Sequence, residues 1–343
     1  EFKSLYLTGL ASFLIVMFSF IIPLSVDIDN QIANNNNSKI NSSKTDFEKI
    51  LSGETIDDKE KVDEGLDLTN ILEDVFKFDE LPEDTVRLSA STIEQLFKDT
   101  NYSLSEVRRT KKVKPIRLSL LPNEMKSIES SGKRKSLFIK IILPLVLEEN
   151  NRIIIDRKKL FSILNKNKNS KDEIKWLNQK FKQYGVVNKD LATLKVRMDI
   201  IPVSLAIAQA AKETGWGTSR FAIEGNALFG QWTWSGEGIK PAGADTDATY
   251  KVMKFNVLKA SVRAYQRNLN THSSYKKFRF VRAQLRDDNK ELDSLKLAEY
   301  LDNYAQTGIE YTKVLKQIIQ QNQLKDFDEV KLLPLSIKYK NII

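Results

Sequence analysis

The pattern of apolar and polar positions divides the chain into three stretches. Leu5 to Val26 is an uncharged run of 22 residues whose centre reads LASFLIVMFSFIIPL. A helix of that length, at about 1.5 Å per residue, crosses a bilayer core of roughly 30 Å. Lys3 precedes the run and Asp27 follows it, which favours an N-terminus inside and the rest of the chain outside. The expectation for residues 1–27 is a membrane anchor, with a cleaved signal segment as the alternative. Residues 28–100 lack long periodicity, carry NNNN at Asn34–Asn37 and have few large apolar positions. They read as a largely disordered spacer. Two short helical patterns lie near its end, around Leu68–Phe78 and Thr92–Lys98, the second with Ser91 and Glu94 at capping-box spacing. RRTKKVK, Arg108–Lys114, reads as a solvated or wall-facing strand.

The body, residues 101–330, becomes mainly helical from about Leu118, and residues 331–343 read as a tail. Lys135–Leu164 is a long apolar-periodic segment in which Pro144 predicts a kink or break. Lys171–Tyr184 stops at Gly185, Asp190–Met198 is short, and Pro202–Thr214 opens with proline, whose missing N–H is harmless in a first turn. Phe255–Leu269, Tyr275–Leu285, Leu295–Tyr304 and Tyr311–Gln321 follow. In Tyr275–Leu285, Tyr275, Phe278, Val281 and Leu285 share one face, and Arg279, Arg282 and Arg286 read as a solvated basic side. Between the helices, residues 231–254 carry Gly236, Gly238, Pro241 and Gly243 and end in the alternating TYKVMKF, the pattern of a short hairpin. Helices interrupted once by a small β-rich lobe give an α+β, mainly α, fold with its cleft between lobe and helices.

Composition narrows the chemistry. The 343 residues contain no cysteine and one histidine, His272. Thiolate nucleophiles and Cys-based metal sites are excluded, and a Ser-His-Asp triad would depend on His272 alone. A structural hydrogen-bonding role is expected for that histidine. Acid–base work falls to carboxylates or tyrosines. No metal constellation, P-loop or dinucleotide fingerprint is visible, so no cofactor is expected. The net charge of +9 conceals an asymmetry: residues 28–100 hold 8 Lys and Arg against 18 Asp and Glu, whereas residues 101–343 hold 45 against 25. A body at +20 favours a polyanionic partner. Behind an export segment, nucleic acid is not the expected one.

The most informative stretch is IPVSLAIAQAAKETGWGTSRFAIEGNALFGQW, Ile201–Trp232. Ala206, Ala208, Ala210 and Ala211 let neighbouring helices approach closely. Glu213 shares a face with Gln209 and Ala210 in the last turn before Gly215 and Gly217. Desolvation and the negative end of the helix dipole would both raise its pKa, and a carboxyl kept protonated near neutrality suits a general acid. Trp216, Phe229, Trp232 and Trp234 add aromatic faces of the kind that pack against sugar rings. Trp232 and Trp234 have the better claim to substrate; Phe229 is a candidate core residue.

KETGWGTSRFA and GNALFGQW resemble the bacterial N-acetylglucosaminidases of the FlgJ and Bax-like type, the glucosaminidase domain of peptidoglycan hydrolases. SLFIKIILPLVLEENNRI (Ser136–Ile153), NLNTHSSYKKFR (Asn268–Arg279) and YAQTGIEY (Tyr304–Tyr311) point to the Bax-like branch. The likeness covers roughly residues 115–325. It implies a lysozyme-like helical domain with a small β-hairpin lobe that cleaves wall glycan, with Glu213 as catalytic acid and Tyr304 as a catalytic tyrosine. The tyrosine motif departs from the family's YAT pattern, since Gln306 intervenes. Asn226 of GNALFG and Tyr311 complete the candidate substrate contacts. Two-carboxylate hydrolysis needs a partner acid about 5–5.5 Å away for retention or about 6.5–9.5 Å for inversion. The family places its second acid in the β lobe, which favours Glu237, then Asp245 or Asp247, over Glu224; the substrate's own 2-acetamido group is the alternative nucleophile. The implied protein is a peptidoglycan hydrolase of the cell envelope, anchored in the inner membrane facing the periplasm, or exported. A lytic transglycosylase and a non-catalytic wall-binding module are the alternatives.

Overall fold

The computed structural model describes residues 68–76, 80–81, 85–233, 237–241 and 249–334. The expected anchor at 1–27, the spacer up to residue 67 and the tail beyond 334 lie outside the described residues. No helix among the described residues is long and apolar enough to cross a membrane.

The helices are α1 (Leu68–Phe76), α2 (Ala90–Asp99), α3 (Leu104–Thr110), α4 (Ser131–Leu164), α5 (Lys171–Gln183), α6 (Leu191–Arg197), α7 (Val203–Thr214), α8 (Arg220–Gly225), α9 (Leu258–Thr271), α10 (Lys276–Asp287), α11 (Ser294–Ala298) and α12 (Ile309–Gln321). Short strands are β1 (Lys112–Val113), β2 (Trp232–Thr233), β3 (Gly238–Ile239), β4 (Lys251–Met253) and β5 (Lys331–Leu332). β2, β4 and β3 pair antiparallel in that order, with TYKVMKF supplying the central strand. The fold is mainly α with a small β lobe, as the sequence predicts.

Residues 68–100, read as spacer, contribute to the packed body. α1 and α2 stand where the two short helical patterns lie. Ile93 and Phe97 of α2 are buried in the main core, and Val75 of α1 packs with Phe255, Val257 and Ala264. Their acidic surroundings mask two amphipathic segments too short to raise the local hydrophobicity. The cap of α2 is Ser89, whose hydroxyl accepts from Thr92 N–H at 3.2 Å, two residues ahead of the expected Ser91. Nor is Arg108–Lys114 a solvated strand. Arg108 and Arg109 belong to the last turn of α3, and Arg108 pairs with Asp326 at 2.9 Å. Lys112–Val113 then pairs in parallel with Lys331–Leu332, which draws the start of the presumed tail into the fold.

The helix α4 runs 34 residues, about 51 Å, unbroken by Pro144. Leu137–Leu147 enters the main core with α7, α9, α10 and α12, while Ile153, Leu160 and Ile163 form a second core with α5 and α6. Between them lies a buried polar layer. Glu149 accepts from Arg152 Nε and Arg263 Nε, each at 3.1 Å. Burial alone would raise its carboxyl, but the two guanidinium groups outweigh it and hold the pKa at about 2.

The basic side of α10 is the main departure from the sequence reading. Tyr275, Phe278, Val281 and Leu285 are buried as expected, but so are Arg279 (4% exposed) and Arg282 (0%). Arg279 Nη1 donates to the carbonyls of Leu269 (3.0 Å) and His272 (2.7 Å). Arg282 donates to those of Asp199, Ile200 and Val196 at 2.9–3.1 Å. The C-terminal end of α6 leaves carbonyls without helical donors, and a guanidinium fork fills that need. Arg286 completes the joint with two 3.1 Å bonds to the Asp199 carboxylate. Leu295–Tyr304 also differs from one continuous helix: α11 is followed by a separate 3-10 turn at Asp302–Tyr304.

Candidate active site

The site is built around α7. Its alanines and aliphatic residues are buried from Val203 to Ala211, so the helix passes through the core and delivers its last turn to the surface. Pro202 offers no side-chain cap. Asp328, 124 residues away, caps the helix instead: its carboxylate oxygens accept from Ser204 N–H (2.8 Å) and Ser204 Oγ–H (2.7 Å). Gly215, at φ 58°, ends the helix in the left-handed region. Thr214 Oγ1 donates to Ala210 O (2.6 Å) and accepts from Gly217 N–H (2.8 Å), fixing the turn that follows.

Glu213 is half-buried at this exit. Its Oε1 accepts from the Tyr311 hydroxyl at 2.8 Å. Its Oε2 faces Gly230, where an added Cβ would stand 3.1 Å from that oxygen. Burial raises the Glu213 pKa above the ordinary carboxyl value; the Tyr311 hydrogen bond and the Lys212 charge oppose this without cancelling it. Tyr311 in turn accepts from Gln209 Nε2 at 3.1 Å, and Gln209 Oε1 accepts from Tyr265 O–H at 2.7 Å. The aromatic rings lock this assembly. Tyr304 stacks on Tyr311 (5.5 Å, 8°), and Tyr265 stacks on Phe229 (3.8 Å, 7°). Tyr304 O–H donates to Phe229 O at 2.9 Å, which holds the turn carrying Gly230 against the carboxyl.

A carboxyl whose pKa is raised by burial, set beside a pocket of tyrosines, can deliver a proton to a bridging oxygen. Comparison with known proteins follows the same line. A family model described as mannosyl-glycoprotein endo-beta-N-acetylglucosaminidase matches residues 188–324. Protein bax of Escherichia coli (strain K12) is 35% identical over 214 residues, covering 60% of this chain and 75% of that protein. This chain belongs to the Bax-like glucosaminidase family. Its domain is of a glycosidase type, and the matched residues run from before α6 to the end of α12, enclosing Glu213, Tyr265, Tyr304 and Tyr311. No solved structure matches.

Within this glucosaminidase domain the expected site residues take different places. Trp232 is 44% exposed and edge-on to Tyr250 at 5.4 Å. Trp216 is half-buried, its backbone at φ 62°, with its ring edge-on to Phe138 and Lys135 above it. Three residues expected to touch substrate are interior. Phe229 is core, as its competing reading held. Asn226 donates its amide to the carbonyls of Phe255 (2.9 Å) and Asn256 (3.0 Å), tying the exit of α8 to the segment after β4. Tyr311, 2% exposed, serves the Glu213 carboxyl. Tyr304 is half-buried and spends its proton on Phe229 O, so it shapes the turn beside the carboxyl. Glu237 lies exposed just before β3, and Glu224 is exposed and pairs with Arg220 at 3.7 Å. Trp234, Asp245 and Asp247 lie outside the described residues. His272 accepts from Ser274 N–H at 3.3 Å and caps a short turn. Among the described residues no cluster of His, Asp and Glu could hold a metal ion. A groove of about 1030 Å³ lined by Phe97, Lys98, Tyr102, Lys133 and Lys140 shares no residue with this site.

Two contributors escaped the sequence reading. Gln209 was visible only as a face-mate of Glu213, one turn earlier. Tyr265 carried no signal, because its role rests on a side-chain bond to a residue 56 positions away.

Proposed function

We propose that this glucosaminidase-family chain hydrolyses the N-acetylglucosaminyl glycosidic bond of cell-wall glycan, with Glu213 as general acid. The single observation that carries the reading is the Glu213 carboxyl, half-buried, raised in pKa and held by Tyr311. Glycosidic oxygen is a poor leaving group until it is protonated, and a carboxyl that keeps its proton toward neutral pH supplies that proton. The exposed ring of Trp232, two residues after Gly230, suits apolar contact with a sugar ring. Attack on the anomeric carbon then falls to water activated by a β-lobe carboxylate, with Glu237, Asp245 and Asp247 as candidates, or to the substrate's 2-acetamido oxygen. The basic body suits an anionic wall, and an N-terminal anchor would hold it in the cell envelope, at the inner membrane facing the periplasm.

Digestion of purified peptidoglycan with mass spectrometry of the new ends tests this. Reducing N-acetylglucosamine ends are the expected product. Anhydro-N-acetylmuramic ends would identify a lytic transglycosylase, and wall binding without new ends a binding module. Glu213→Gln should abolish cleavage while leaving the fold and wall binding intact; an active variant would remove Glu213 from the mechanism.

A further inference from the structure

The two oxygens of Glu213 are not equivalent, and the groups around them decide which one carries the proton. Resting on the reading of Glu213 as acid, we propose that Gln209 and Tyr265 are positioning residues that act through Tyr311 to reserve Oε1 as an acceptor, so that the transferable proton resides on Oε2, beside Gly230.

The direction of each bond makes the case. Tyr265 O–H donates to Gln209 Oε1, which turns the amide so that its NH2 faces Tyr311. Gln209 Nε2 donates to the Tyr311 oxygen, and the one tyrosine proton then goes to Glu213 Oε1. In a protonated carboxyl the carbonyl oxygen accepts more strongly than the hydroxyl oxygen, so the Tyr311 bond favours Oε1 as the carbonyl and places the proton on Oε2. That oxygen is the one whose neighbour, Gly230, has no side chain and lies at φ 62°. Access to Oε2 thus depends on the smallest residue, held in a conformation that favours it. In the reacting step the Oε2–H bond breaks. Its electron pair stays on the carboxylate, and the proton joins the leaving oxygen, which also takes the pair of the breaking C–O bond. The Tyr311 bond to Oε1 persists and stabilises the carboxylate that forms.

The groups facing Glu213 are Lys212 on its own helix, Tyr265 from α9, Tyr275 from the turn after it, and Tyr304 and Tyr311 from the region entering α12. Burial raises all four tyrosines above their ordinary value, so the alkaline limb of activity reports Glu213.

Tyr265→Phe removes one hydroxyl and keeps the ring on Phe229; Gln209→Met removes the amide at similar volume. Either change frees Tyr311 from its fixed direction and weakens its bond to Oε1, the bond that favours the carboxylate. We expect kcat on peptidoglycan to fall about tenfold with KM little changed. The alkaline limb of kcat/KM should move to higher pH, because a carboxylate with a weaker donor forms less readily. The infrared C=O stretch of the protonated Glu213, identified by difference against Glu213→Gln, should rise in wavenumber in both variants. An unshifted limb and an unchanged C=O stretch in either folded variant would overturn the proposal. The infrared measurement needs no substrate, so it separates the two failures: wild-type protein that never cleaves glycan overturns the proposed activity, whatever the spectrum shows.

Discussion

The Tyr102 hydroxyl donates to the carbonyl of Lys140 at 3.0 Å. Lys140 lies four residues before Pro144, which has no N–H to offer it. A side chain from the loop between α2 and α3 therefore makes the bond that the proline omits, and α4 continues where the sequence predicts a break. Tyr102→Phe should lower stability by about 1–3 kcal/mol, the effect of leaving a buried carbonyl unpaired. Urea unfolding measures this, and glycan cleavage should be unaffected because the pair lies outside the Glu213 cluster.

Gly230→Ala tests the space beside the carboxyl. The new methyl would stand 3.1 Å from Glu213 Oε2 on a backbone at φ 62°. Left-handed backbone disfavours alanine by about 1–2 kcal/mol. Stability should fall by that amount, while cleavage should fall at least tenfold because the acid is displaced. Equal melting losses with unaltered turnover would mean that this turn does not shape the site.

Asp328 predicts a pH dependence of stability. Burial raises its pKa to about 6, against 3.8 for an ordinary aspartate, despite the bonds from Ser204. The sign follows from linkage: a folded-state pKa above the unfolded one contributes stability that is complete below about pH 4 and is lost as pH rises through about 6. The amount is on the order of 2–3 kcal/mol. Asn in this place can accept from Ser204 N–H and donate to its hydroxyl. Asp328→Asn should therefore remove the decline between pH 4 and 6 in denaturant titrations at fixed temperature.

Trp232→Ala should leave stability within about 0.5 kcal/mol, as expected for an exposed side chain. Its effect should appear as a several-fold rise in KM for wall glycan with kcat little altered, measured on soluble glycan fragments. A change confined to kcat would place this ring against the reacting sugar in a different role.

The sequence disclosed some of these parts and hid others for identifiable reasons. Glu213 was legible because its partners in the argument, Gln209 and the terminating Gly215, lie within one turn. Its hydrogen-bond donor was not: Tyr311 is 98 positions away, and periodicity carries no information about such a pairing. Helix positions were readable for α4 to α7 and for α9 and α10 from their apolar periodicity, but not for α8, whose six residues are too few to show one. The buried state of Arg282 was not, since its acceptors are main-chain carbonyls that no residue type reveals. The helices α1 and α2 were visible as patterns, but surrounding acidic residues concealed that they pack into the body.

The length of α4 has a consequence for how the molecule comes apart. One uninterrupted rod supplies Leu137–Leu147 to one apolar interior and Ile153, Leu160 and Ile163 to the other, with the Glu149 layer between. Neither interior can melt without fraying a helix that the other still needs. Heating should therefore dissolve both in one cooperative calorimetric event.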